Sequence, residues 1–331
     1  MSRALAALVT LALAATPAAA APSIWQQATT TADAAQAQRA YDEAMLEGDD
    51  RVAQAANTVV YEQRKRLVRA ALDAYERAAL ARPDLAEPRW RAATVVNAFY
   101  VECTQDRAPL CGREPRPSDA ERAIAAWDAA ERLAPLDPRF TDRVMFARAI
   151  LHTKLATPTH LRAAAVDYQR LLDRMRGTAS VDPLSSNLAE RSLIMGNLAE
   201  TFMMLGDLDR AIETYREAQR LSPELTRAFG LAVALDRDEQ EAAAHEVLRG
   251  QGPGAVAQFI DQVERGGVFF VPDGEVAYYL GLGAAFEGDE VTAIEHFQAF
   301  IASGAHPNYQ PRARAHLAAL RARLARRVRG R

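Results

Sequence analysis

Six histidines, two cysteines and a scatter of carboxylates are the residues of this chain that could do chemistry. The histidines are His152, His160, His245, His296, His306 and His316. No two stand at i, i+3 or i+4, so no single helix presents paired imidazoles to a metal. His245-Glu246 lacks the second histidine of an H-E-x-x-H site. All six read as exposed helix histidines. The run Gly250-Gln251-Gly252-Pro253-Gly254 lacks the Lys-Ser/Thr that a phosphate loop needs and reads as a flexible connector. A G-x-S-x-G nucleophile elbow is absent. The carboxylates are spread over helix faces with arginines three or four residues away, as on solvated surfaces. No pair of them is singled out for glycan hydrolysis. No catalytic set, cofactor or metal is therefore expected.

Cys103 and Cys111 flank Thr-Gln-Asp-Arg-Ala-Pro-Leu in a loop-like stretch that also holds Gly112, Pro115 and Pro117. Zinc would need further Cys or His close by. Two cysteines near each other in an exported chain read as a disulfide. Export is expected from the N-terminus, where Met1-Ser2-Arg3 precedes an apolar run from Ala4 to Ala15, a Thr16-Pro17 break and the small residues Ala18 to Ala21. That order predicts a cleaved signal over 1–21, with the periplasm as destination and secretion as the alternative. Pro17 interrupts the run before the roughly 18 apolar residues an anchor helix needs. A net charge of −3 gives no general pull towards nucleic acid.

The elements that would position any site are helices. Ala, Leu, Arg and Glu dominate, with apolar residues at three- and four-residue spacing. Gly267-Val268-Phe269-Phe270-Val271-Pro272 is the one strand-like stretch and is too isolated to build a sheet. Between Ser192 and Pro223 the chain reads Met195, Leu198, Ala199, Phe202, Gly206-Asp207, Ala211, Tyr215, Ala218, Pro223. A second copy runs through Leu280, Gly281, Gly288-Asp289, Ala293, Phe297 and Phe300. Second halves alone recur at Ala71, Tyr75, Ala78 and Pro83, and at Ala123, Trp127, Ala130 and Pro135. Weaker copies lie at Ala164, Tyr168 and Leu171, and at Leu231, Ala232, Leu235, Ala244 and Leu248.

In order and spacing these residues resemble the tetratricopeptide repeat. The resemblance implies an all-α chain, an α-solenoid of about six irregular helical hairpins. The repeated alanines at 71, 123, 164, 211, 244 and 293 are mostly further apart than the family's 34 residues, so insertions are expected in most hairpins. Residues 22–50 are expected to form an N-terminal helical segment with Gly48-Asp49-Asp50 as its turn, and 51–301 the solenoid. Residues 302–331 should be a basic capping helix and tail, with an apolar stripe at Ala313, Leu317, Leu320 and Leu324. Its arginines also suit peripheral contact with an anionic membrane or an acidic partner.

The family's geometry places partner binding on the concave face formed by the first helix of each hairpin. One helical step from the core positions this face reads Leu193, Gly196, Glu200, Met203; then Thr226, Phe229, Val233, Asp236; then Glu275, Tyr278, Leu282, Ala285. Leu193, Glu200, Met203, Phe229, Val233, Glu275, Tyr278 and Leu282 are the expected groove. The stripe has no basic residue, so it suits an apolar helix or extended segment carrying some positive charge. The function this implies is a non-catalytic scaffold or adaptor of the bacterial cell envelope. The alternative is an envelope hydrolase with a site between repeats.

Overall fold

The computed structural model describes residues 24–101, 117–135, 142–177, 188–264, 271–272 and 274–329. The expected signal over 1–21 and both cysteines lie outside the described residues, as do 267–270 of the strand-like stretch, whose described residues Val271 and Pro272 are not in a strand.

Fourteen α-helices carry the described chain: α1 Ile24–Ala56, α2 Tyr61–Ala81, α3 Glu87–Val96, α4 Pro117–Leu133, α5 Asp142–Leu155, α6 Pro158–Gly177 and α7 Leu188–Met204. They continue with α8 Leu208–Leu221, α9 Leu225–Arg237, α10 Glu241–Arg249, α11 Ala255–Glu264, α12 Val276–Glu287, α13 Glu290–Ser303 and α14 Gln310–Arg329. A π-helical turn, Asn97–Val101, follows α3, and a 3₁₀ turn, Pro307–Tyr309, precedes α14. Successive helices pair as six hairpins, α1/α2, α3/α4, α5/α6, α7/α8, α9/α10 and α12/α13, and neighbouring hairpins touch in chain order. Helix α11 is an insertion against α9 and α12, and α14 lies on α13. This is an all-α solenoid.

The repeat residues occupy the places their sizes require. Ala71, Ala123, Ala164, Ala211, Ala244 and Ala293 are all fully buried. Tyr75, Trp127, Tyr168, Tyr215, Leu248 and Phe297 lie one turn further along the same helices and are buried too. Both Gly–Asp turns form as their chemistry dictates. Gly206 and Gly288 take φ of 80° and 81°, a left-handed conformation that costs a glycine nothing. Asp207 and Asp289 then cap the next helix, accepting from the backbone N–H of Arg210 and Thr292.

Gly48 is not a turn. Helix α1 runs through it without interruption to Ala56. A Cβ at Gly48 would stand 2.5 Å from the Tyr75 ring, just as one at Gly281 would press on Phe297 at 3.1 Å. Glycine is used here for close helix crossing, and α1 is the first half of the first hairpin.

Helix α14 begins at Gln310 and buries Ala313, Leu317 and Leu320, with Leu324 half-buried. Arg314, Arg321, Arg323, Arg326 and Arg329 face solvent. No helix among the described residues is long and apolar enough to cross a membrane.

Candidate functional site

From α3 onward each first helix carries a small buried residue where it crosses its partner: Ala93 in α3, Ala149 in α5, Ala199 in α7, Ala232 in α9 and Gly281 in α12. Residues three before and one after it share a face. This defines one column down the solenoid. The three-before positions are Trp90, Phe146, Gly196, Phe229 and Tyr278; the one-after positions are Thr94, Ile150, Glu200, Val233 and Leu282. In α3 and α5 the column is open: Thr94 is exposed, while Trp90, Phe146 and Ile150 are half-buried. From α7 onward it is closed.

The expected groove therefore needs correction. Glu200, Met203, Phe229, Val233, Glu275, Tyr278 and Leu282 are each 2% exposed or less; Leu193 alone is half-buried. The physical reason is the course of α12. Tyr278 Oη donates to Asp236 Oδ2 at 2.6 Å, Arg237 pairs with Glu275, and Gly283 lies against Phe229. As the α9 number rises the α12 number falls, so α12 runs antiparallel to α9. Equivalent helices of a regular stack run parallel. The residues expected as rungs of one open groove instead pack against one another. Phe259 of α11 fills the remainder, stacked on Phe229 with ring centres 4.0 Å apart and on Tyr279 at 6.0 Å.

A buried polar cluster sits at the centre of this closure. Glu200 Oε2 accepts from Tyr215 at 2.7 Å and from Tyr279 at 2.5 Å. Burial, followed by the charge of Glu275, pushes the Glu200 carboxyl up to about 7, against the pull of the Tyr279 bond, Arg237 and the Tyr215 bond. Burial and the adjacent carboxylates hold the phenols of Tyr215 and Tyr279 well above their ordinary range, so both stay donors. The Arg237 guanidinium is stacked between the rings of Tyr278 at 4.5 Å and Tyr309 at 4.2 Å.

The chain's own C-terminal segment covers what α12 leaves. Tyr309 Oη donates to the Met203 carbonyl at 2.8 Å, which also accepts from the Gly206 N–H, and the His306 ring sits 2.7 Å from the Met204 carbonyl at the end of α7. Arg312 and His316 both reach Asp236, at 2.6 Å and 2.8 Å. Burial raises the Asp236 carboxyl, but the bonds from His316 and Arg312 outweigh it and hold it at about 2. An apolar helix or extended segment with some positive charge is the ligand expected for this stripe; residues 306–316, which cover it, bring the charge of Arg312 but are mostly polar. His316, expected to be exposed, is buried on Asp236 and stacked on Phe297.

A second polar cluster lies in the α4–α6 layer. Buried Arg148 donates to both Asp167 oxygens at 2.6 and 2.7 Å, to Asp128 at 3.0 Å and to Glu131 at 2.8 Å. Arg170 adds a bond to Glu131 at 2.7 Å. Beside them His152, also buried rather than exposed, has its Nδ1 2.8 Å from Nδ1 of His160. These side chains line a depression of about 540 Å³. The spacing rule missed this pair because it spans two helices. The i, i+8 separation across the Ala156-Thr157 turn is the signal that could have found it.

No family model matches the sequence. Among solved structures, the TPR domain of P58(IPK) is similar at 13% identity and a TM-score of 0.41, over 94% of this chain and 72% of that one. The hairpins carry the features on which the sequence resemblance rests. Their Gly–Asp turns, buried alanines and following aromatic residues carry that statement, and the antiparallel α12 marks where the stack departs from it.

Proposed function

We propose that this chain is a non-catalytic scaffold that takes a protein or peptide partner on the open face of α3 and α5. The observation that carries the reading is the column itself. Trp90, Phe146 and Ile150 remain partly exposed on a face whose C-terminal continuation is fully covered by the chain's own helices. Trp90 and Phe146 pack on the core by one side, Phe146 edge-on to Tyr168 of its own hairpin, and the outer sides they leave exposed are the surface a partner would cover. The covered half supplies the precedent, because there an aromatic-rich helix fills the same column. The partner suited to the open half is an apolar helix or extended segment.

Export through a leader over 1–21, a Cys103–Cys111 disulfide and a place in a bacterial envelope complex belong to the same proposal, supported by the sequence pattern. The exposed arginines of α14 support a peripheral contact with an anionic surface. Phe146→Glu combined with Ile150→Glu tests the central part. The double variant should keep its helicity by circular dichroism and lose the partners that the wild type captures from envelope extract. A folded double variant that captures the same proteins would place the binding face elsewhere.

A further inference from the structure

We propose that this chain stacks end to end with a second copy of itself, the outward face of α14 of one copy seated on the outward face of α1 of the next. These two helices are the ends of the described stack: α1 packs on α2, and α14 on α13. In a solenoid each repeat covers its neighbour, so only the end helices keep a full face open. In α1, Ala44, Gly48 and Ala55 are buried towards α2. Leu46 stands two residues from both Ala44 and Gly48, which turns it to the opposite side of the helix, and it is 73% exposed. Asp42, Glu43 and Asp50 surround it, with Arg39 as the one basic residue, and all four are exposed. The open face of α1 is thus a leucine in an acidic setting.

The outward face of α14 is its counterpart. Ala313, Leu317 and Leu320 are buried on the opposite side of that helix. Exposed Arg314, Arg321, Arg326 and Arg329 flank exposed Ala318 and Ala322, and the helix has no acidic residue. The two faces therefore carry opposite charge: three acids less one arginine, −2, on α1, and four arginines, +4, on α14. The small alanines leave room for Leu46. Glu43 and Asp50 are seven residues apart, as are Arg314 and Arg321. Each pair spans about 10.5 Å of helix, so a register that joins one acid to an arginine also joins the other. Each copy offers a different face at each end, so the contact is heterologous and repeats into rings or filaments. The anionic surface that the α14 arginines meet is, on this proposal, protein rather than lipid, and every copy carries it at its other end.

The experiment is sedimentation velocity of the purified chain at increasing concentration, in about 0.01 M and about 1 M salt, where charges are felt over about 30 Å and about 3 Å. The wild type should form dimers and larger species in dilute salt and return to monomer in concentrated salt. Two charge reversals supply the decisive arm: Glu43→Arg with Asp50→Arg on α1, and Arg314→Glu with Arg321→Glu on α14. These positions are exposed, so both variants should keep their helicity by circular dichroism. Each variant alone sets like charges against each other at the paired positions and should stay monomeric. An equimolar mixture of the two should associate again, since acid faces base at both contacts. Phe146→Glu with Ile150→Glu should associate as the wild type does, and loss of association there would move the contact to α5 and overturn the proposal. A wild type that stays monomeric in dilute salt overturns it whatever the variants do, and binding of that monomer to phosphatidylglycerol vesicles would give the arginines to a membrane. Association that survives either reversal, or a mixture that stays monomeric while the wild type associates, overturns it as well.

Discussion

Glu200 shows how far a single residue's place could be read and where the reading stopped. The helical step put Glu200, Asp236 and Tyr278 on one expected groove, and the structure buries all three: Tyr278 bonds Asp236, while Glu200 is bonded by Tyr279, the next residue along α12. Periodicity tells which residues share a face, and it is silent on what covers that face. The covering helix is 79 residues away in the chain and runs in the unexpected direction, so no local pattern announces it. The burial has a titratable consequence. A carboxyl held at about 7 in the folded chain, against an ordinary 4.5, binds its proton more tightly when folded. Glu200 therefore contributes stability that is present below pH about 4.5 and is lost as the pH rises to about 7. The change is on the order of 3 kcal/mol. Asp236 acts in the opposite sense: its contribution is present above pH 4 and is lost as the pH falls towards 2. Urea unfolding of wild type and Glu200→Gln across pH 4.5 to 8 should show the variant's curve flatter through this window. Parallel curves would mean that Glu200 is ionised throughout.

At the scale of the helix, the second halves of the hairpins were legible and the early first halves were not, and α5 explains the difference. Arg148 precedes the small residue Ala149 as Leu198 precedes Ala199, so the helix puts a guanidinium where the repeat has its leucine. Asp167, Asp128 and Glu131 make that burial tolerable, and they come from two other helices. A hydrophobic pattern broken by a neutralised charge cannot be found by looking for leucines. Arg148→Leu should cost about 3 kcal/mol or more, because it leaves buried Asp167 without its bidentate partner. Adding Asp167→Leu should recover much of that loss, and thermal melts of the two variants decide it. Gly230 makes the matching point for steric fit. A Cβ there would stand 2.5 Å from the Tyr215 ring, which Glu200 holds by its hydroxyl. Gly→Ala in a helix normally gains about 1 kcal/mol of propensity, but overpacking costs about 1–3 kcal/mol, and the pinned ring cannot swing aside. Gly230→Ala should melt lower than wild type. A higher melting temperature would refute the packing of α8 against α9.

The whole molecule is a solenoid that closes, with its own helices, half of the face proposed above for binding. Helices α11, α12 and α14 cover the column over α7 and α9, and the same column stays open over α3 and α5. The repeat pattern foretold hairpins, the Gly–Asp turns at Gly206 and Gly288 and the terminal helix, but not that α1 runs on through Gly48. It could not foretell the reversal of α12, which follows the insertion that carries α11 and is held by contacts between distant segments. The most direct test is site-specific photo-crosslinking in the cells that express the chain, with a photoreactive side chain at Ile150, at Thr94 or, as a control, at exposed Val291 on α13. The account predicts a discrete protein adduct from positions 150 and 94 and none from 291. Adducts from 291 alone, or none at either column position, would contradict it.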